Sequence, residues 1–308
     1  MNVVFMGTPA FAVESLKALI HSSHKVQAVV TVPDKPQGRG QAVRPSPVKV
    51  TAQENHIPVL QPVSLKEHHF IKELKALEAN VFVVVAFRIL PVEVFTIPPK
   101  GTVNIHASLL PRYRGAAPIN WAIINGETET GVTSILIDEK VDTGHILLQK
   151  KTKILPDMNA GELHDILATL GADLLIQTLD RMERNSIQPK PQDNHTASKA
   201  PKITKELCHI SFEQPSTKVY NLIRGLSPYP AAFSYLHGQQ LKLLKSQIVP
   251  VNYPQPAGTI CAMGKEYFDV ACTDGAIRLL EVQPQGKKRM KVRDFLNGYS
   301  IDIGNHLQ

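Results

Sequence analysis

Short apolar strand-like runs alternate with helix-like stretches through the first half of the chain, and this alternation most constrains the fold. Residues 3–6, 26–32 and 81–85 are strand-like runs rich in β-branched side chains, as expected of strands buried on both faces. Between them, the stretch after Pro9 and residues 65–77 carry apolar residues at helical spacing. The pattern predicts an α/β domain with a Rossmann-like, largely parallel, doubly wound sheet.

The composition changes near residue 189. Residues 189–206 are polar and rich in proline and lysine, which is typical of a linker. Beyond it, short apolar runs are separated by turn signals at Gly238, Gly264 and Gly275. We therefore expect a domain over residues 1–188, a linker over 189–206, and a small OB-like β-barrel domain over 207–308.

Composition excludes several classes of protein. A hydrophobic fraction of 43% argues against a disordered chain. The sequence contains no run of eighteen apolar residues, so we expect no membrane span. Cys208, Cys261 and Cys272 are odd in number and lack CxxC spacing, so we expect core thiols in a reducing cytosol rather than disulfides or zinc ligands. The net charge of +7 is compatible with a polyanionic partner.

Two polar residues stand in a predicted strand over residues 102–106. Asn104 and His106 are two positions apart, so their side chains share one face of the strand. At the end of a strand in an α/β sheet, an amide beside an imidazole can stabilise an oxyanion and transfer a proton. The alternative is that Asn104 fastens a loop and His106 is an ordinary core histidine.

The next two polar segments can be interpreted in two ways. Residues 108–111 form a small turn suited to lining a flat apolar ligand. Asp142 lies in Asp-Thr-Gly, the tripeptide of aspartic proteases, but that chemistry needs two carboxylates and the chain has one such tripeptide. Asp142 is therefore either a local turn cap or the carboxylate that orients His106.

Basic residues concentrate in two further segments. Residues 33–49 combine proline, glycine and basic residues, which predicts a loop without regular structure that is either functional or merely solvated. Residues 287–291 form a second basic run. Neither GxGxxG after the first strand nor GxxxxGK[ST] occurs, so dinucleotide-binding and P-loop functions lose their main support.

Several motifs occur in the order of a known family. They are Phe-Met-Gly-Thr-Pro at 5–9, Pro-Asp-Lys-Pro at 33–36, Pro-Ser-Pro-Val-Lys at 45–49, Asn-x-His with Ser-Leu-Leu-Pro and Arg-Gly-Ala-Ala-Pro over 104–118, and Asp-Thr-Gly at 142–144. Together they resemble the methionyl-tRNA formyltransferases, within the 10-formyltetrahydrofolate-dependent formyltransferase family. The resemblance implies formyl transfer from 10-formyltetrahydrofolate to the α-amino group of initiator methionyl-tRNA, by a cytoplasmic monomer without a metal or a membrane segment.

The resemblance also assigns roles to residues. The implied catalytic residues are Asn104, His106 and Asp142. The implied folate-binding residues are Ser108, Leu109, Leu110, Pro111, Phe87, Ile89 and Leu90. The implied tRNA-binding residues are Lys35, Arg39, Arg44, Lys287, Lys288 and Arg289. The segment 86–91 is one residue shorter than the family's usual Ala-Tyr-Gly-x-Ile-Leu-Pro, so the resemblance does not fix its detailed contacts with the folate ring.

Alternative functions stay open at this point. Other folate-dependent formyltransferases act on a ribonucleotide amine or an amino sugar; we expect the first kind to match the N-terminal half alone and the second to lack the linker and small barrel. From a different class, an inert RNA-binding protein on the same scaffold would not need the intact trio Asn104, His106 and Asp142.

Overall fold

The computed structural model describes residues 1–37 and 42–308, and these form two compact units. The first unit comprises Met1–Gly115, Thr130–Thr152 and His164–Ala200. The second comprises Ala116–Glu129, Lys153–Leu163 and Pro201–Gln308.

The first unit is built on a seven-stranded sheet in the order β5-β2-β1-β6-β7-β8-β9. Its strands are β1 (Asn2–Gly7), β2 (Lys25–Val30), β5 (Val59–Leu60), β6 (Val81–Val85), β7 (Thr102–His106), β8 (Glu129–Leu136) and β9 (Ile146–Lys153). From β5 to β7 every pairing is parallel, and β8 runs antiparallel to β7. The predicted Rossmann-like, largely parallel sheet is therefore confirmed.

Helices accompany this sheet. They are α1 (Ala10–Ile20), α2 (Pro47–Glu54), α3 (His68–Ala76), α4 (Val92–Phe95) and α6 (Ala160–Glu183). All five residues of β6 are buried, as expected of a central parallel strand. Asn159 and Glu162 exchange hydrogen bonds between side chain and backbone at 2.9 and 3.0 Å, which confirms the capping box predicted for α6.

The basic segment over residues 33–49 was expected to lack regular structure, and this prediction was wrong for its described part. β3 (Lys35–Gln37) and β4 (Ala42–Arg44) pair antiparallel, and α2 already begins at Pro47. A two-stranded hairpin tolerates the proline at 36 because such short strands are edges. Ser46 caps α2 by accepting a hydrogen bond from the Lys49 N–H at 3.1 Å. Arg39 lies outside the described residues.

The second unit contains an antiparallel sheet in the order β10-β11-β14-β13-β12, with β15 paired to β14. Its strands are β10 (Ala232–Leu236), β11 (Gln239–Val249), β12 (Ile260–Met263), β13 (Phe268–Ala271), β14 (Ala276–Pro284) and β15 (Met290–Lys291). Its helices are α5 (Pro118–Ile124), α7 (Lys205–Cys208), α8 (Ser216–Leu226) and α9 (Val292–Leu296). The expected separate β domain is confirmed as an antiparallel sheet accompanied by helices.

The core of the second unit lies between this sheet and its helices. Phe268 and Phe295 are at most 2% exposed and pack with Ile223 of α8 and Leu279 of β14. Helix α5 belongs to this unit as well, and the Asn120 amide donates a 2.7 Å hydrogen bond to a carbonyl at the end of α8. The last residues, 305–308, hydrogen-bond with Tyr235 in β10 and also with Gly258 and Ile260 at β12.

The cysteines behave as the core residues that the sequence predicts. Cys208 and Cys261 are buried and Cys272 is half-buried, and all three are free thiols. Burial raises the pKa of Cys261 to about 11 and that of Cys272 to about 12, so both stay protonated at neutral pH. In the described part of the chain, no helix combines the length and apolar character that crossing a membrane requires.

Candidate active site

Strand β7 presents Asn104 and His106 to the same side of the sheet. The intervening Ile105 and the preceding Val103 are 3% and 0% exposed and point into the opposite layer. His106, the last residue of β7, is buried, whereas Asn104 is partly exposed. Within residues 1–37 and 42–308, no other group hydrogen-bonds the Asn104 amide. Asn104 is thus free to donate to a ligand on this side.

Asp142 lies next to His106. Its Oδ1 is 3.6 Å from the Nδ1 of His106, and both side chains are largely buried, at 12% and 7% exposure. The distance is that of an ion pair rather than of a direct hydrogen bond. Sequence reasoning could place these two residues 36 positions apart in the chain but could not show that they meet; the fold brings them together.

The other ring nitrogen of His106 is already engaged. Nε2 lies 2.8 Å from the backbone oxygen of Tyr113. A carbonyl oxygen only accepts, so Nε2 must carry a proton and donate it. Any additional proton on this ring therefore sits on Nδ1, facing the Asp142 carboxylate, and makes the ring a cation. The geometry suits an imidazolium whose second N–H points toward Asp142.

Asp142 is held in a defined position by the backbone around it. Its Oδ2 accepts a 2.8 Å hydrogen bond from the Gly115 N–H, which leaves Oδ1 for His106. Its φ of 57° is left-handed, a conformation that aspartate tolerates better than most residues. Gly144, two residues later, runs so close to Leu136 that a Cβ there would lie 1.7 Å from the Leu136 carbonyl oxygen. The Asp-Thr-Gly turn is thus both a packing element and a carrier of the carboxylate.

Hydrogen bonds hold the turn over residues 108–111 in place. The Ser108 hydroxyl donates to the Arg112 oxygen at 2.6 Å, and the Leu110 N–H donates to Thr133 at 3.1 Å. The Gln149 amide donates to the Leu110 oxygen at 2.9 Å. Ser108 and Leu110 are buried and Leu109 is partly exposed. Of the three, Leu109 presents the most side-chain surface.

The second segment expected at the folate lies at the end of β6. Leu90 is buried in the core below α4, Phe87 is half-buried, and Ile89 is 76% exposed. The Arg88 guanidinium donates to the backbone oxygens of residues 62 and 63 at 2.9 Å. Burial lowers the pKa of Arg88 below its usual range, but the group stays charged. Arg88 thereby fixes a loop that displays an exposed aliphatic side chain.

The residues that sequence reasoning missed lie between 189 and 200, in the segment expected to be a linker. The Ser198 hydroxyl accepts from the Tyr113 N–H at 2.9 Å, and the Ser198 backbone oxygen accepts from the Arg114 N–H at 2.8 Å. Gln192 hydrogen-bonds with Arg114 and with the backbone of the Asp142 turn. No motif marks these two residues, since their contacts are with parts of the chain 48 to 87 positions away.

The expected tRNA-binding cations within the described part of the chain are exposed. Lys35 and Arg44 are cross-strand partners in the β3–β4 hairpin, and both are exposed. Lys287, Lys288 and Arg289 lie in the turn before β15 and are exposed as well. Arg289 forms an ion pair with Glu281, which neutralises part of its charge.

One cluster in the first unit has the composition of a cation site. Among the described residues, His24, Asp180 and Glu183 bring potential ligand atoms within 4.8 Å of one another. The Met1 ammonium group is also there, 3.1 Å from His24 Nδ1 and 2.9 Å from Glu183. The Met1 ammonium therefore already pairs with one of the two carboxylates, that of Glu183.

The chain matches known proteins over most of its length. Residues 1–179 match the formyl transferase family model, and residues 202–300 match the model of the formyl transferase C-terminal domain. A methionyl-tRNA formyltransferase of Caldanaerobacter subterraneus is 46% identical over 100% of both chains. That of Parabacteroides distasonis is 46% identical over 97% of this chain and 96% of its own.

Solved structures share the fold. An N-formyltransferase from Helicobacter canadensis, in complex with folinic acid and dTDP-3-aminofucose, has a TM-score of 0.68 and 25% identity, covering 92% of this chain and 98% of its own. A methionyl-tRNA formyltransferase from Clostridium thermocellum has a TM-score of 0.55 and 17% identity, covering 80% of this chain and 93% of its own. With both family models and full-length relatives in agreement, the chain belongs to the formyl transferase family.

Proposed function

We propose that this chain transfers a formyl group from 10-formyltetrahydrofolate to the α-amino group of initiator methionyl-tRNA, giving N-formylmethionyl-tRNA for translation initiation. The observation that carries the chemistry is the pairing of His106 with Asp142 beside the free amide of Asn104. The identity of the acceptor rests on the methionyl-tRNA formyltransferases that match the chain from end to end.

The reaction exchanges one carbon–nitrogen bond for another. The formyl carbon leaves N10 of the folate and bonds to the amine nitrogen; the amine loses one proton and N10 gains one. His106 and Asp142 need only move that proton and balance charge. The His106 Nε2–H stays on the Tyr113 oxygen, so Nδ1 is the nitrogen that exchanges a proton, under the control of Asp142. General acid–base help of this kind contributes about 10²–10⁴-fold.

Asn104 stabilises the negative oxygen that develops when the amine attacks. Its amide is partly exposed on the same side as His106 and is unused by the described residues. An oxyanion donor of this kind is worth about 2.7–4 kcal/mol of barrier. His106 as a cation adds to the stabilisation through its positive charge.

The formyl donor is held by the residues that the family resemblance implies. The donor's flat ring system needs apolar surface with nearby backbone donors and acceptors. Leu109 is partly exposed beside the rigid turn that also includes Ser108, Leu110 and Pro111. Phe87, Ile89 and Leu90 supply the second apolar segment, of which Ile89 is the most exposed. These residues fit a folate without any bound metal taking part.

The tRNA is held by basic side chains. We assign the acceptor end to Lys35 and Arg44 of the β3–β4 hairpin and to Arg39, and the phosphate backbone to Lys287, Lys288 and Arg289. In this division residues 1–188 carry catalysis, 189–206 join the domains and 207–308 bind tRNA. The protein acts as a monomer in the cytoplasm, where translation initiates.

The β domain of this proposal is an OB-like barrel. The supporting contacts are made by residues 305–308, which pair with Tyr235 next to one edge of the sheet and with residues 258 and 260 next to the other. A short closing segment of this kind covers both edges, as barrels require. OB-like barrels bind nucleic acids through shape and charge.

The test is a substrate comparison. The protein is incubated with 10-formyltetrahydrofolate and, separately, initiator methionyl-tRNA, free methionine, a ribonucleotide amine and a dTDP-amino sugar. Formylated product is quantified after hydrolysis of the ester. We expect product with methionyl-tRNA at a rate at least a hundredfold above the other acceptors, since binding of the tRNA body is lost with each of them (about 10²-fold or more). Preference for any other acceptor, or no transfer at all, overturns the proposal.

A further inference from the structure

The side chain of Gln192 connects the two loops of the candidate site. Its Nε2 donates to the backbone oxygen of Asp142 at 2.9 Å and to that of Gly144 at 2.8 Å. Its Oε1 accepts from Arg114 Nη2 at 2.7 Å and from Arg114 Nε at 3.1 Å. Every hydrogen-bonding atom of the amide is therefore committed.

The two loops carry different parts of the proton-handling pair. The turn with Asp142 supplies the carboxylate, and the loop that includes Tyr113 and Gly115 supplies the groups that hold His106 and Asp142. Gln192 is attached to the backbone on either side of Thr143 and to Arg114, the residue between Tyr113 and Gly115. Gln192 itself lies in neither loop, and its hydrogen bonds fix the position of the Asp142 turn relative to the loop with Tyr113 and Gly115.

Asp142 depends on such an external contact. Its backbone has a positive φ, and it lies in a turn between two strands rather than within a strand. A peptide group in such a turn rotates easily unless its carbonyl is held, and Gln192 holds the carbonyls of residues 142 and 144. The 3.6 Å distance from Asp142 to His106 would respond to that rotation.

We propose that Gln192 is a positioning residue for formyl transfer: it sets the Asp142 carboxylate against His106 from outside both catalytic loops. The inference rests on the proposed function, since it takes Asp142 as the group that controls the proton. It assigns a role to the segment that joins the two domains, because residues 189–200 then belong functionally to the catalytic centre.

Two substitutions separate the contacts of Gln192. Gln192→Glu keeps an oxygen for Arg114 but removes the N–H donors to the Asp142 turn, and Gln192→Leu removes both sets. Asn194→Ala is the matched control, because Asn194 accepts from the same Arg114 guanidinium at 2.9 Å and, among the described residues, forms no hydrogen bond with the Asp142 turn. Thermal unfolding of each variant reports folding separately from activity.

Turnover is measured with KM for folate and for tRNA. We expect kcat of Gln192→Glu and Gln192→Leu to fall about tenfold or more, as displaced catalytic groups cause, with either KM changed less than about threefold. Asn194→Ala should stay close to the unsubstituted protein. In the background of Asp142→Asn, adding Gln192→Leu should cost less than about twofold, because residues that act as a unit are not additive.

An equal loss from Gln192→Leu in both backgrounds would show a general structural role and overturn the inference, as would an unchanged kcat. Failure of the proposed function looks different. In that case the unsubstituted protein itself forms no formylmethionyl-tRNA, before any variant is compared.

Discussion

The backbone N–H of Gly115 donates to one carboxylate oxygen of Asp142 at 2.8 Å, and this bond turns the other oxygen toward the imidazole of His106. Gly115 comes from the loop after β7 and Asp142 from the turn between β8 and β9. The orientation of the Asp142 carboxylate thus depends on where the loop after β7 holds the backbone N–H of Gly115.

Replacing Gly115 should destabilise the folded protein. A Cβ there would lie 2.6 Å from the Ala200 carbonyl oxygen, and its φ of 124° is unfavourable for any L side chain. We expect Gly115→Ala to lower the free energy of unfolding by about 2–4 kcal/mol, as steric strain at a special backbone conformation does. Gly286→Ala is the control: its φ is also positive, at 73°, but no atom lies within 4 Å of the added Cβ. Chemical denaturation of both variants measures the difference; equal losses would contradict the steric explanation.

Neutralising Asp142 should slow chemistry without unfolding the site. Asn keeps an oxygen that can accept from Gly115 but removes the negative charge opposite His106. We expect the single-turnover rate of Asp142→Asn to drop by about 10²–10⁴-fold, the usual contribution of acid–base help, with tRNA affinity unchanged. Asp138→Asn should be nearly as active as the unsubstituted protein: Asp138 lies in the same turn, but among the described residues its side chain is hydrogen-bonded only to Thr143 and Lys140. A near-normal rate for Asp142→Asn would remove Asp142 from the mechanism.

Tight binding of tRNA should depend on salt through the exposed turn before β15. Lys287 and Lys288 are exposed, whereas Arg289 is paired with Glu281. Replacing both lysines with alanine should weaken tRNA binding and reduce the slope of log Kd against log salt by about 1–2, since each phosphate contact contributes about 0.7–0.9. Replacing two exposed lysines elsewhere, Lys72 and Lys75 in α3, is the control. An unchanged slope would show that this turn does not contact the tRNA backbone.

Stability should decrease in mild acid because of His24. Its side chain is fully buried, and this desolvation lowers its pKa below the ordinary value of 6.5. Near pH 6.5 the unfolded chain therefore binds a proton on His24 that the folded chain does not bind. The contribution of neutral His24 to the free energy of unfolding is thus complete above that pH and is lost as the pH falls below it. Asp180, 3.2 Å from Nε2, and Glu183 oppose the shift, and the Met1 ammonium adds to it.

The measurement is the unfolding midpoint between pH 7.5 and 5.5. It should fall less in His24→Gln than in the unsubstituted protein, whatever the stability at pH 7.5. His69→Gln, with a side chain that is 78% exposed, should follow the unsubstituted protein. Parallel pH profiles for all three proteins would contradict the assignment.

The fold was predictable from the sequence where local pattern and burial agree. Residues 81–85 are apolar at every position and form the fully buried strand β6, and the alternation in β7 put Asn104 and His106 on one face. The hairpin of Lys35 with Arg44 was missed because proline and glycine weaken the strand signal, although cross-strand pairing still forms. Local propensity does not report such a pairing.

The candidate site was predictable in its residue types but not in its supports. His106 and Asp142 are of chemical types that reveal a possible role. The backbone oxygen of Tyr113 and the amide of Gln192 are not, because any residue has a backbone oxygen and surface glutamines are common. Their importance arises only from contacts between distant parts of the chain.

The close approach at Gly144 bears on how inactive descendants of such a chain could be identified. Since even one added carbon at that position meets the Leu136 carbonyl oxygen at 1.7 Å, the glycine is required for the turn to form, whether or not the turn does chemistry. A descendant released from selection for formyl transfer can lose the carboxylate at 142 yet must keep the glycine at 144. A sequence search that gives Asp142 and Gly144 equal weight would therefore score an inactive descendant, which has kept only the glycine, too much like an active enzyme.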